Sequence, residues 1–283
     1  MKTFIPENLP VPVLHGHLLS AIAPRPIAFA STVDKQGNVN LSPFSFFNVF
    51  GANPPLLIFS PARRVRDNTL KHTLENVKEV PEVVINVVNY AIVEQMSLAS
   101  TEYEKGVNEF VKAGFTPLAS EAVRPPRVKE SPVQLECKVE QIIETGTEGG
   151  AGNLIICRVV RLHIAPEVLN EAGRIDPHKI DLVARMGGDF YCRASGAALF
   201  EVEKPLAKKG IGIDALPLEI RQSSVLTGNS LAKLANIETL PALSTLTPTA
   251  ENPTALTKEE RHALAQQYLE KGDTMAAWYV LLA

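Results

Sequence analysis

Apolar positions along the chain come mostly in short runs of β-branched residues, and only in places do they recur at a helical period. Residues 25–33 (RPIAFASTV) form one such run, closed by Asp34-Lys35-Gln36-Gly37. Glycine tolerates positive φ there and aspartate bonds its own backbone, which predicts a tight turn. Asn38–Ser42, Pro55–Ser60 (PLLIFS) and Glu82–Tyr90 (EVVINVVNY) follow, so four strands are predicted between residues 25 and 90. Between the last two, Leu70, Leu74 and Val77 stand at i, i+4 and i+7, the spacing of one helix face. Ala91–Ser100 and Val107–Ala113 predict two further short helices, the second stopped by Gly114.

A proline-rich connection at 116–132 leads to the two longest β-like segments, 133–145 and 153–164, joined by Gly146–Gly152 as a glycine-rich hairpin loop. Asp189–Arg193 and Ala198–Val202 are expected to be the last strands of the same body. Strands outnumber helices and do not alternate with them, which predicts a mainly β fold with added helices, a closed or nearly closed antiparallel barrel. Beyond Lys204-Pro205 the texture turns helical. Thr227-Gly228-Asn229 precedes LAKLANI, and Thr257-Lys258-Glu259-Glu260 has capping-box spacing. Gly272 splits RHALAQQYLEK from MAAWYVLLA, predicting a helical hairpin after a loose linker near 241–256. Two domains are expected, 1–204 and a mostly helical extension 205–283. The hairpin's apolar face is expected to be buried on the barrel or on a partner subunit.

The chain's 283 residues are 45% hydrophobic and 21% charged, with a net charge of −3. This excludes a disordered chain and argues against a nucleic-acid binder that relies on a strongly basic surface. No apolar run approaches the roughly 18 residues of a membrane span, and the N-terminal residues lack a basic-then-apolar signal region. A cytoplasmic protein with no membrane partner is expected. Cys137, Cys157 and Cys192 have no C-x-x-C spacing, so they read as small buried apolar side chains, with neither a disulfide framework nor a metal site expected. His15-Gly16-His17 has no third ligand nearby and reads as a surface turn. Rossmann, P-loop, zinc-hydrolase and serine-hydrolase signatures are all absent. The loop EGGAGN at 148–153 lies between strands and reads as a hairpin turn, because phosphate cradles have a helix start behind them.

Four ordered blocks carry a more specific signal: RPIAFASTVDKQGNVNLSPFSFFN, PPLLIFSPARR, KHTLENV and EVVIN. In order and spacing they resemble the flavin reductase-like family, which folds as an FMN-binding split barrel. The resemblance extends through GNLIICRVVRLHI and ARMGGDFYCRA to about residue 204. It implies a slot for the flat flavin along Ser42, Pro43, Phe44, Ser45, Phe46, Phe47 and Asn48, with Ser60 and Arg25 nearby. Strand alternation turns only every second side chain inward, so at most two of the rings Phe44, Phe46, Phe47 and Phe50 are expected near the flavin, and taken alone they read equally as core. Family members carry a Lys-Asp-Thr-Leu-x-Asn-Ile pattern where this chain has Lys71–Val77, which gives Lys71 and Thr73 the phosphate and puts His72 in place of the usual Asp. A phosphate calls for positive charge and the N–H groups of a helix start. Of the three arginines after the preceding strand, Arg63 and Arg66 are the candidates for a second phosphate cation, with Arg64 beside them and a solvated surface as the alternative for all three.

The resemblance further implies an FMN-dependent oxidoreductase working as a homodimer, with the flavin near the subunit interface. NAD(P)H, lacking a Rossmann domain, would stack on the flavin and pass a hydride toward a small-molecule or protein electron acceptor. The flavin carries the redox chemistry itself, so no catalytic acid or nucleophile is required. A flavin-binding electron-transfer or carrier protein without substantial NAD(P)H turnover needs the same slot. A pyridoxamine-phosphate-oxidase-like barrel matches the blocks less well.

Overall fold

A computed structural model describes residues 1–206 and 209–283, which divide into two compact units, Met1–Phe200 and Glu201–Ala283. The first unit opens with helix α1 (Val11–Ala21), followed by strands β1 (Ala28–Val33), β2 (Val39–Phe44), β3 (Phe47–Ala52) and β4 (Pro55–Phe59). Helix α2 (His72–Glu79), strand β5 (Glu82–Val87) and helices α3 (Val93–Leu98) and α4 (Glu109–Ala113) come next. The short pair β6 (Pro117–Leu118) and β7 (Arg127–Val128) precedes the long hairpin of β8 (Val133–Glu144) and β9 (Asn153–Ile164). Helix α5 (Pro177–Ile180) and the small hairpin of β10 (Val183–Arg185) and β11 (Tyr191–Arg193) complete it.

Seven strands join in one antiparallel sheet of order β2-β1-β5-β8-β9-β4-β3, whose two edges are β2 and β3. Laid flat, six strand spacings would hold these edges about 29 Å apart. Only Ser45 and Phe46 link Phe44 to Phe47, and three Cα steps reach at most roughly 11 Å. The sheet must therefore roll up until its edges approach, and because β2 and β3 do not pair, the result is a split barrel. Helix α2 fills the interior: Leu74 and Val77 pack with Ala28, Ala30, Phe44, Phe59 and Ile85. The small alanines of β1 leave room for the helix. The other face of β1 packs Phe29 against Leu41, Met96, Phe110 and Phe115, so the whole strand is buried.

Buried Asn86 ties these layers, donating from Nδ2 to the Phe29 carbonyl at 3.0 Å and accepting the Val128 N–H at 2.9 Å. Cys137 and Cys157 lie in the barrel core, where burial pushes the Cys137 thiol up to about 12, while Cys192 is only half-buried. Gly114, at φ 70, closes α4 as the sequence predicts.

Several expectations need correction. His15-Gly16-His17 lies within α1, which starts where Pro10 and Pro12 preset the first turn. The stretch SPFSFFN is no single strand but ends β2 and begins β3 on opposite edges of the sheet. Tyr191–Arg193 pairs only with β10, in a separate two-stranded sheet. The strand expected at Ala198–Val202 does not form; the chain makes a single 3-10 turn at Gly196–Ala198, with Gly196 at φ 56, and no regular element follows it up to Val202.

The second unit contains α6 (Leu218–Arg221), α7 (Gly228–Ala235), α8 (Lys258–Glu270) and α9 (Thr274–Leu282). The capping box is complete, with Thr257 accepting the Glu260 N–H and Glu260 reaching back to the Thr257 N–H. The apolar face of the hairpin, expected on the barrel or a partner, instead closes a core of the unit's own: Leu269, Trp278 and Val280 pack with Ile220, Leu231 and Leu234. Among the described residues no helix is long and apolar enough to cross a membrane.

Two outcomes test this architecture. Asn86→Ala should destabilise the first unit by roughly 1–3 kcal/mol for each of the two groups it orphans, measured by urea unfolding. In the second unit, Ser223 Oγ accepts the N–H groups of Val225 and Leu226, so its hydrogen goes to His262 Nδ1 at 2.7 Å and holds the imidazole neutral. Burial, followed by Lys258, pushes the His262 pKa below its ordinary value. The unfolded chain then takes up the proton first, so this stability is complete above a pH of about 6.5 and is lost as pH falls toward the lower folded value. Fluorescence of Trp278, the only tryptophan, should report a falling unfolding midpoint between pH 7 and 5.5 that His262→Gln flattens.

Candidate functional site

The start of α2, strand β2 and the loop after α3 surround a shallow depression open to solvent, whose lining includes Asn40, Ser42, Arg64, Lys71, Thr73 and Glu102. Lys71 is the extended residue that precedes the helix, and no side chain caps the first turn. The N–H groups at that helix start therefore keep their positive end of the dipole for an anion. His72, where the family pattern has an acid, is pushed by burial below the ordinary histidine value, so at neutral pH it adds no charge to the helix start. Thr73 is buried and its Oγ1 accepts from Asn40 Nδ2 at 2.9 Å, which leaves the hydroxyl hydrogen for another acceptor.

Cations gather on one wall. Arg64 Nε donates to Glu102 Oε1 at 2.8 Å, while its Nη1 donates to Thr69 Oγ1 and the Leu70 carbonyl, both at 2.7 Å. Lys71 Nζ stands 3.6 Å from the same Glu102 oxygen. Burial, then the neighbouring Arg64, pushes the Lys71 ammonium below its ordinary pKa. Arg66 Nη2 donates to Glu102 Oε2 at 2.9 Å and to Asp67 at 3.1 Å. The Arg64 hydrogen bond, foremost among these, holds the Glu102 carboxyl below the usual carboxylate range. On another wall, buried Glu109 accepts the Leu41 N–H at 2.9 Å, and burial raises its pKa.

The residues singled out in the sequence separate into three groups. Ser42, Lys71 and Thr73 line the depression together, and Arg66 reaches its Glu102. Half-buried Pro43 also belongs to β2, while Phe46 and Asn48 are exposed at the β3 edge, with Phe46 edge-on to the His15 ring at 6.2 Å. Asn48 Oδ1 accepts the Val49 N–H at 2.8 Å.

The third group is engaged in the architecture. Phe44 packs on Phe59 inside the barrel, with Phe47 against the same cluster. Ser60 is buried, its Oγ accepting the Asn153 N–H at 3.0 Å. Arg25 donates to the Leu19 carbonyl and, at 2.9 Å, to the Ile22 and Met186 carbonyls, so it ties the end of α1 to the segment after β10. Its Nε reaches Ser45 Oγ at 3.4 Å. Arg63 grips the glycine-rich loop, donating its N–H to the Ala151 carbonyl and accepting from Gly150, while its side chain donates to Asn68. Of the three arginines it is Arg64 that lines the depression. No sequence signal separates it from its neighbours, because a loop imposes no period on its side chains.

Residues 20–179 match the flavin reductase like domain family. A protein of Aquifex aeolicus, itself uncharacterised, is 35% identical over 199 residues, which are 70% of this chain and 99% of that protein. Nitrilotriacetate monooxygenase component B from Bacillus cereus aligns with a TM-score of 0.66 at 31% identity, over 71% of this chain and 98% of its own. A candidate flavin reductase with a split barrel domain from Shewanella frigidimarina gives 0.59 at 29% identity, over 70% and 96%. The family match ends before the second unit begins. With its rolled sheet, its cation-lined helix start and this extent of similarity, the chain belongs to the flavin reductase like family and is a flavin oxidoreductase of split-barrel fold.

Proposed function

We propose that the protein is an FMN-dependent flavin reductase that oxidises NADH or NADPH and works as a homodimer. The observation that carries this reading is the meeting of Lys71, Arg64 and the uncapped start of α2 at one depression. Two cations, helix-start N–H groups and the free hydroxyl hydrogen of Thr73 match the charge and oxygen count of a phosphate monoester. FMN ends in such a group, whereas FAD continues past it into an adenylate. When bound, the flavin supplies the ring that accepts a hydride and passes electrons on.

The chain's own residues then have two tasks. Lys71, Arg64 and Thr73 hold the phosphate end, and Ser42 and its neighbours along the β2 end orient the remainder of the flavin. The chain has no dinucleotide fold signature to hold NAD(P)H separately, so the hydride donor must lie directly over the ring. A second copy has a surface to cover: Phe46, Val49 and Phe50 expose an apolar strip at the β3 edge.

Purified protein should consume NADH or NADPH only when FMN is present, followed by stopped-flow loss of nicotinamide absorbance. Bound FMN without such consumption would assign it instead to electron transfer with a protein partner. Lys71→Ala and Arg64→Ala each remove a charge-assisted hydrogen bond, roughly 1.5–3 kcal/mol, so FMN affinity should fall roughly ten- to a hundredfold by calorimetry. Arg63→Ala should leave FMN affinity near the wild-type value. Loss of binding in Arg63→Ala with none in Lys71→Ala would move the phosphate to the glycine-rich loop.

A further inference from the structure

The cations at the depression already hold an anion that belongs to the chain. Glu102, in the loop between α3 and α4, takes Arg64 Nε on Oε1 at 2.8 Å and Arg66 Nη2 on Oε2 at 2.9 Å, with Lys71 Nζ 3.6 Å from Oε1. It is thus an oxyanion set among three positive groups, two of which, Arg64 and Lys71, are the cations the proposed function assigns to a phosphate. A phosphate on Arg64 and Lys71 sets its charge against that of Glu102 at close range: the Arg64 Nε–H faces Glu102 and its Nη1 faces Thr69 and Leu70, which leaves its Nη2, beside the carboxylate, as the donor without a hydrogen bond among the described residues.

We propose that Glu102 is a built-in competitor for the flavin phosphate, and this rests on the reading of the depression as the phosphate site. With no phosphate present, the carboxylate neutralises part of the repulsion between Arg64 and Lys71 and keeps both side chains converged. A phosphate monoester, with a greater charge and three free oxygens, displaces it. The displaced carboxylate loses little, because the Glu102 side chain is 44% exposed and regains water readily. On departure of the phosphate, Glu102 closes on the cations again. Glu102 therefore lowers the affinity for FMN and speeds its release, whereas it leaves riboflavin, which has no phosphate, unaffected.

Calorimetric titration of FMN and of riboflavin into the full chain, wild type and Glu102→Gln, tests this. Glu102 is half-exposed, so the substitution leaves the fold intact, and glutamine keeps its size. Exposed ion pairs are individually weak, so FMN should bind the variant about three- to tenfold more tightly and dissociate correspondingly more slowly in stopped flow, with riboflavin unchanged. Glu102→Asp, which keeps the charge but retracts it by one methylene, should fall between the two. Equal or weaker FMN binding in Glu102→Gln with riboflavin unchanged overturns the proposal, as does a parallel change for both flavins, which would mark a structural role. If the wild-type chain binds FMN and riboflavin alike, the phosphate reading itself fails, a result recognisable before any variant is compared.

Discussion

Between Phe44 and Phe47 the chain has two residues in which to pass from one edge of a seven-stranded sheet to the other. That limit bends the sheet, and the bend makes an interior that has to be filled. Helix α2 fills it with Leu74 and Val77, made possible by the small side chains of Ala28 and Ala30 on the strand beneath. Once the helix is anchored by that apolar face, its other end is fixed at the rim, beside the end of β2. Lys71 and Thr73 thus share a depression with Asn40 and Ser42 as a consequence of closing the barrel.

The electrostatics of the rim derive from the same placement. A helix start without a side-chain cap, next to a half-buried lysine whose ammonium is already disfavoured by burial and by Arg64, is a site short of negative charge. Two carboxyls face this surplus from different elements. Glu109 is buried and occupied by the Leu41 N–H, whereas Glu102 is half-exposed and held only by side chains. A buried, backbone-bound acid costs much to move, and an exposed one costs little, so only Glu102 can give way to an entering anion.

What the sequence made legible tracks how local each signal is. The α2 face at Leu74 and Val77, the capping box at Thr257 and the αL stop at Gly114 are patterns contained within a few residues and are present, although Leu70, predicted on the same face, lies ahead of the helix, which starts at His72. The order of blocks made the barrel legible. The split of SPFSFFN was not, because strand pairing across the barrel depends on partners far away in the chain. Arg64 was likewise hidden among Arg63 and Arg66: one arginine turns to the glycine-rich loop and another to the depression through loop geometry alone.

The tail illustrates why burial arguments need a count of available surfaces. An amphipathic hairpin must cover its apolar side, and with the barrel and a second copy as the only surfaces considered, one of them has to receive it. Helix α7, which the start at Thr227 announces, and the four-residue α6 form a third, where Ile220, Leu231 and Leu234 receive it. Trp278 is wholly enclosed there, its indole N–H without a partner among the described residues, so apolar packing alone holds the ring. The hairpin's apolar face is thus satisfied within the unit itself.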